Sequence, residues 1–210
     1  MVLDIKLLIF DLDGVLVDSR EYWASVVYDT IQKFGYNLSY EEVKKSLGPK
    51  MKDLLIQLCG SSAPLQEMLE YAGKLASDPN YLIKVRIIKG VKESLIKLRS
   101  KYRFALITNS PYSFVEYILK KNDMLRFFDE IITASENFKT KADAIKFLSE
   151  VMKTPLAQIA HIGDMVKDIE EARKAGCKAI AIPGWNSYEE LEKAKPDLLV
   201  NSLEELANRL

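Results

Sequence analysis

The chain has 210 residues, and its 30 Lys+Arg balance 30 Asp+Glu to a formal net charge of zero. That balance argues against a mainly electrostatic grip on nucleic acid or on an anionic membrane, since both need a net basic face. A hydrophobic fraction of 48%, with no apolar run near the ~20 residues of a membrane span, predicts a soluble chain that can bury a sizeable core.

No basic-then-apolar leader opens the chain, because Asp4 and Lys6 interrupt it. The two cysteines, Cys59 and Cys177, are expected as separate thiols in a reducing compartment. A cytoplasmic location follows as the expectation.

The segment IKLLIF, residues 5 to 10, reads as a buried strand, after which the chain turns abruptly polar. Asp11, Asp13 and Asp18 fall within eight positions, and Gly14 allows a tight turn. Asp18 with Ser19 reads as the start of a helix rather than as part of a reacting group.

Residues 20 to 84 break from strand patterning. Trp23, Val27, Ile31 and Phe34 share one helical face, and Ser39 with Glu42 has capping-box spacing. Met51, Leu54, Leu55 and Leu58 predict a third helix. Leu65, Met68, Leu69, Ala72, Leu75 and Ala76 predict a fourth. A helical module inserted after the first strand leaves and returns at one edge of the core, a position suited to a lid.

Strand and helix then alternate. RFALIT (103 to 108), EIITA (130 to 134), IAHIG (159 to 163), CKAIAI (177 to 182) and DLLV (197 to 200) have the short apolar form of buried parallel strands. Between them, Val91, Leu95, Leu98 and Tyr102 mark one helical face, and Ile145, Leu148 and Met152 another. Ser110 with Pro111 predicts a helix start, Gly176 a helix stop, and Ser187 with Glu190 and Ser202 with Glu205 two more starts.

The expected fold class is therefore α/β: a Rossmann-like parallel sheet flanked by helices, with an inserted helical domain. The expected division is residues 1–18 and 85–210 for the core and 19–84 for the insert.

In such sheets ligands bind beyond the carboxyl ends of the strands. Those ends offer Asp11 and Asp13; Thr108, Asn109 and Ser110; Asp164 and Asp168; and, before the helix after the third strand, Lys139 and Lys141. Carboxylates gathered this closely need a counter-charge, and a hard cation such as magnesium, with a lysine beside it to hold a phosphate, supplies one. Asp11 and Asp13, two positions apart on an extended segment, face the same side, with Leu12 turned into the core. Asp11 could then attack phosphorus while Asp13 transfers protons. His161, within an apolar strand, reads as a buried structural residue.

FDLDGVLVDS resembles the first motif of the haloacid dehalogenase (HAD) superfamily, LITNS its second and HIGDMVKD its fourth, in order across nearly the whole chain. The helical insert resembles the C1 type of cap, as in the phosphoglycolate phosphatase and β-phosphoglucomutase-like subgroup.

The resemblance implies a magnesium-dependent phosphatase for a small phosphorylated metabolite, working through an aspartyl-phosphate. Asp11 would be the nucleophile and Asp13 the general acid/base. Asp11, the backbone carbonyl of Asp13, and Asp164 would bind magnesium, with Asp168 ordering the metal's water or the lysine from behind. Thr108 and the N–H of Asn109 would hold the phosphate.

The third motif departs from the family's Lys-Pro-x-Pro. The chain reads FKTKADAIK, where alignment favours Lys141 over Lys139 as the phosphate-binding lysine and both prolines are missing. Asp13 separates the chain from the true dehalogenases, which lack an acid at that position. In the loop SLGPKMKD, residues 46 to 53, Lys50 is a candidate contact for an acidic substrate.

The enzymatic alternative is a β-phosphoglucomutase-like phosphomutase. Alternatives of another class are a receiver-like module or a catalytically silent binding protein. A receiver would carry its phosphate-accepting Asp after the third strand, where this chain reads TASEN. The expected assembly is a monomer or homodimer with no nucleic-acid or membrane partner.

Overall fold

The structure, a computed structural model, describes residues 4–136 and 138–210. Asn137, the last residue of TASEN, lies outside them. Two compact units emerge, one made of residues 1–17 with 87–210 and the other of residues 18–86.

The chain opens with β1 (Leu7–Phe10) and β2 (Val17–Asp18). A helical stretch follows: α1 (Arg20–Lys33), α2 (Tyr40–Ser46), α3 (Met51–Cys59), α4 (Leu65–Ala76) and α5 (Pro79–Leu82). The remainder runs β3 (Arg86–Ile87), α6 (Val91–Arg99), β4 (Arg103–Ile107), α7 (Tyr112–Lys121), β5 (Glu130–Ile132), α8 (Lys141–Val151) and β6 (Ile159–Gly163). It ends with α9 (Val166–Ala175), β7 (Lys178–Ala181), α10 (Tyr188–Lys193), β8 (Leu198–Leu199) and α11 (Leu203–Arg209).

Six strands form one sheet in the order β5-β4-β1-β6-β7-β8, and every pairing is parallel. A four-residue apolar run suits β1 because it is central: β4 pairs on one side, β6 on the other, and all four side chains are buried. Leu7 and Ile9 pack with Ile145 and Leu148 of α8 and Ile169 and Ala172 of α9. Phe10 packs edge-on against Phe104, with ring centroids 4.9 Å apart.

The second unit is built around α1, which buries Tyr22, Trp23, Val26, Val27 and Ile31. Ser39 and Glu42 form a reciprocal capping box that starts α2. No described helix is long and apolar enough to cross a membrane. Cys59 and Cys177 are both free.

Several local expectations are corrected. The helix expected to start at Ser110 starts at Tyr112, with Pro111 extended (ψ 151) at the N-cap, because the Ser110 hydroxyl is engaged elsewhere. Tyr102 lies beyond the end of α6 rather than on its apolar face, since the chain must turn there to enter β4. The start expected at Asp18 and Ser19 holds, with Ser19 at the N-cap of α1. The short α5, capped by Asp78, adds a turn that periodicity did not reveal.

Candidate active site

The acids cluster because β1 delivers them. Its ladder runs one residue further, with Asp11 N–H donating to the Ile162 carbonyl at 2.9 Å. Leu12 is fully buried in the core, so Asp11 and Asp13 face the same way. The chain then folds back on itself: Leu16 and Val17 N–H both bond the Leu12 carbonyl, and Gly14 sits at φ +77. A Cβ on Gly14 would fall 1.9 Å from Asp164 Oδ2, so glycine is required there for space as well as for backbone.

Asp13 is held from β4. Its Oδ2 accepts from Thr108 Oγ1 at 3.1 Å and from Ser110 Oγ at 2.6 Å. Thr108 Oγ1 in turn accepts from Ser110 N–H at 3.1 Å. Ser110, offered both by the strand end and as a helix cap, takes the first role: its hydroxyl lies on Asp13. Which acid it meets has no local signal, because the partner follows the neighbouring strand β1. Asn109, between the two hydroxyl residues, is half-buried.

Lys141 reaches the same point from the first residue of α8. Its Nζ lies 2.6 Å from Asp11 Oδ2 and 2.7 Å from Asp168 Oδ1. Lys139 is exposed. Asp168 also accepts the Met165 N–H at 3.1 Å, so both of its oxygens are engaged. Asp164, beyond β6, accepts from Trp185 N–H at 2.5 Å. A Cβ on Gly184 would meet Asp164 Oδ2 and the Gly14 carbonyl, each at 2.5 Å.

Asn186 completes that corner: its Oδ1 accepts the first N–H of α9, from Val166, at 2.9 Å. Gly184, Trp185 and Asn186 follow β7 and carry no titratable side chain, so nothing in their composition announced them. His161 is buried in β6, its Nδ1 3.2 Å from the Ile9 carbonyl and its Nε2 3.5 Å from Asp168.

Burial dominates the protonation of the acids. It pushes the Asp11 carboxyl up to about 6 against the pull of Lys141, with Asp168 and Asp13 adding to the rise. Burial, then Asp168 and Asp11, hold Asp164 well above the usual carboxylate range. Asp168 is buried too, but the ammonium of Lys141, followed by His161, outweighs burial and keeps it below its ordinary value. Lys141 is raised, burial notwithstanding, by Asp11 and Asp168.

The protein's own cation therefore satisfies Asp168, while burial works against the ionised forms of Asp11 and Asp164, which a dication would favour. Asp11, Asp164 and Asp168 can each bring a carboxylate oxygen within 4.8 Å of the others. An all-oxygen donor set of this kind fits a hard divalent ion.

Residues 8–182 match the family model described as haloacid dehalogenase-like hydrolase. The chain belongs to that family. It is 31% identical to a phosphoglycolate phosphatase of Vibrio parahaemolyticus, over 97% of this chain and 95% of that one. It is 26% identical to a protein of Caldanaerobacter subterraneus named as a candidate pyrophosphatase, over 96% of this chain and 93% of the other. Among solved structures, a haloacid dehalogenase-like family protein from Streptococcus pneumoniae superposes with a TM-score of 0.86 at 23% identity, covering 99% of both chains. That likeness establishes the shared fold.

Within this haloacid dehalogenase-like hydrolase, every strand end singled out from the sequence contributes to one buried cluster. Lys50 belongs to the helical unit, at the N-cap of α3.

Proposed function

We propose that the protein is a magnesium-dependent phosphatase that cleaves a small phosphorylated metabolite of the phosphoglycolate type through an aspartyl-phosphate. The observation that carries the reading is the pairing of two acids with different surroundings. Asp11 lies against the Lys141 ammonium, whereas Asp13 rests on the hydroxyls of Thr108 and Ser110. One acid is placed to attack an anion held by a cation, and the other to exchange protons.

Asp11 attacks phosphorus, forming the Asp11 O–P bond as the bond to the ester oxygen breaks. Asp13 gives its proton to that leaving oxygen, then recovers one from the water that hydrolyses the acyl phosphate. Thr108, the Asn109 N–H and Lys141 hold the phosphoryl oxygens, and a water-poor setting strengthens each contact.

Magnesium, held by Asp11, the Asp13 backbone carbonyl and Asp164, would neutralise charge on the phosphate and keep Asp11 ionised. Asp168 keeps Lys141 oriented. We assign substrate selection to the helical unit, with Lys50 reading an acidic group. The likeness to phosphoglycolate phosphatases over nearly full length supports the choice of substrate class.

Free-phosphate release with magnesium tests the reading, using p-nitrophenyl phosphate first and then phosphoglycolate, pyrophosphate and sugar phosphates. Wild-type protein should turn over and Asp11→Asn should not. Equal rates in the two would remove the mechanism. An isomerised sugar phosphate without free phosphate would indicate a mutase instead.

A further inference from the structure

We propose that Glu171 is a positioning residue for this reaction: its buried carboxylate fastens the first turn of α8 and so holds Lys141 between Asp11 and Asp168. The first backbone N–H groups of a helix have no partner within it. In α8, the Asp143 N–H is taken by the Thr140 hydroxyl at 3.2 Å. Ala142 is fully buried, out of reach of water, and its N–H donates to Glu171 Oε2 at 2.9 Å.

Glu171 is itself only 4% exposed, and Lys167, one turn earlier on α9, lies 3.5 Å from its Oε1. A buried carboxylate is tolerated when it is bonded and paired, and an N–H at a helix start is a favourable place for it.

The arrangement bears on Lys141 because of where Glu171 sits. It lies three residues after Asp168 on α9, a spacing that puts the two side chains on one face. Asp168 holds the Lys141 ammonium at 2.7 Å, and Glu171 holds the backbone of the next residue at 2.9 Å. One helix face thus grips both ends of the lysine. Without Glu171 the Ala142 N–H would be orphaned in the interior, and the turn carrying Lys141 would have to shift to reach another acceptor.

A proline at position 142 has no N–H to satisfy, and the first turn of a helix accepts one. That supplies a test which packing alone cannot pass. The effect on rate rests on the phosphatase reading, whereas the contact itself does not. The experiment compares Glu171→Ala, Glu171→Gln, Ala142→Pro and the double variant Glu171→Ala/Ala142→Pro. It reads magnesium-dependent phosphate release and, by NMR, amide exchange at Ala142.

Glu171→Ala should lower kcat by about tenfold to a hundredfold through displacement of Lys141. Glu171→Gln, which keeps an acceptor oxygen, should recover most of it. In the Ala142→Pro background, Glu171→Ala should cost less than about threefold, because the orphaned donor is gone.

An equal cost in both backgrounds would reduce Glu171 to a packing residue and overturn the proposal. If wild-type protein releases no phosphate, the functional reading fails, yet exchange still decides the contact. Exchange at Ala142 should quicken at least about tenfold in Glu171→Ala relative to wild type, and unchanged exchange would refute the proposal. Should Glu171→Ala fail to fold, the double variant decides: folding with a rate within about threefold of Ala142→Pro supports the proposal, and failure of the double variant to fold overturns it.

Discussion

The sheet unit and the helical unit solve different problems with the same kinds of residue. In the sheet unit, Asp11, Asp13, Asp164, Asp168 and Glu171 are all buried, and each is pinned by a hydroxyl, an ammonium or a backbone N–H. In the helical unit the acids lie mostly at the surface, where Glu42 caps α2, Glu21 pairs with Lys44 and Asp29 accepts from Tyr81. Its burial is concentrated in α1, while α4 buries only Met68 and Ala72 and α5 none.

The five buried acids of the first region gather at the strand ends, whereas the acids named in the second are caps or solvated partners. Substitutions in the two should therefore move different observables.

The largest effect is expected at Asp13. Asp13→Asn should cost about 10² to 10⁴ in kcat/KM on an alkyl phosphate, the usual worth of general acid–base catalysis. The cost on p-nitrophenyl phosphate should be smaller, since nitrophenolate leaves without a proton. Equal losses on both substrates would argue against Asp13 as the acid.

The next concerns pH. The Asp11 carboxyl, raised from 3.8 to about 6, favours the folded state fully below its unfolded value and loses that contribution as pH rises through about 6. Asp11→Asn should therefore be more stable than wild type in metal-free buffer at about pH 7.5, by about 1–2 kcal/mol, and show little gain near pH 4.5. Magnesium should narrow the gap by stabilising wild type. Thermal melts at the two pH values, with and without magnesium, decide it, and a pH-independent difference would count against the strained acid.

Gly184→Ala comes third, because its Cβ would press on Asp164 and on the Gly14 carbonyl. The magnesium concentration for half-maximal activity should rise about tenfold, as expected when the support of a metal ligand is disturbed. A metal titration that overlays on wild type would show that the loop yields without moving Asp164.

The smallest effect lies in the helical unit. Ser39→Ala breaks the capping box of α2 and should cost about 1 kcal/mol of stability while leaving kcat as in wild type. A matching fall in kcat would blur the division between the two regions.

The same division governs how much could be read in advance. The capping boxes at Ser39 and Ser187, the stop at Gly176 and the central strand were legible because each depends on residues within a few positions. Ser110 shows the converse: the strand end places it at the site and its neighbour Pro111 suggests a cap, and Asp13, 97 positions away, takes its hydroxyl. The missing prolines after Lys141 looked like a weakness of the third motif. The backbone N–H that Ala142 retains has an acceptor in Glu171, which reads from the sequence as one more acid on a polar helix.

Composition, periodicity and motif order by themselves determined the α/β class, the helical insert, and the acids and lysine at the strand ends. Those features follow from side-chain alternation and strand direction, which are local properties. Only the tertiary structure decided which oxygen meets which donor: Ser110 on Asp13, Trp185 N–H on Asp164, and Lys141 shared between Asp11 and Asp168. These contacts join strands and helices brought together by the parallel order of the sheet, and burial makes each partner obligatory, because a charged or polar group shut away from water must find one.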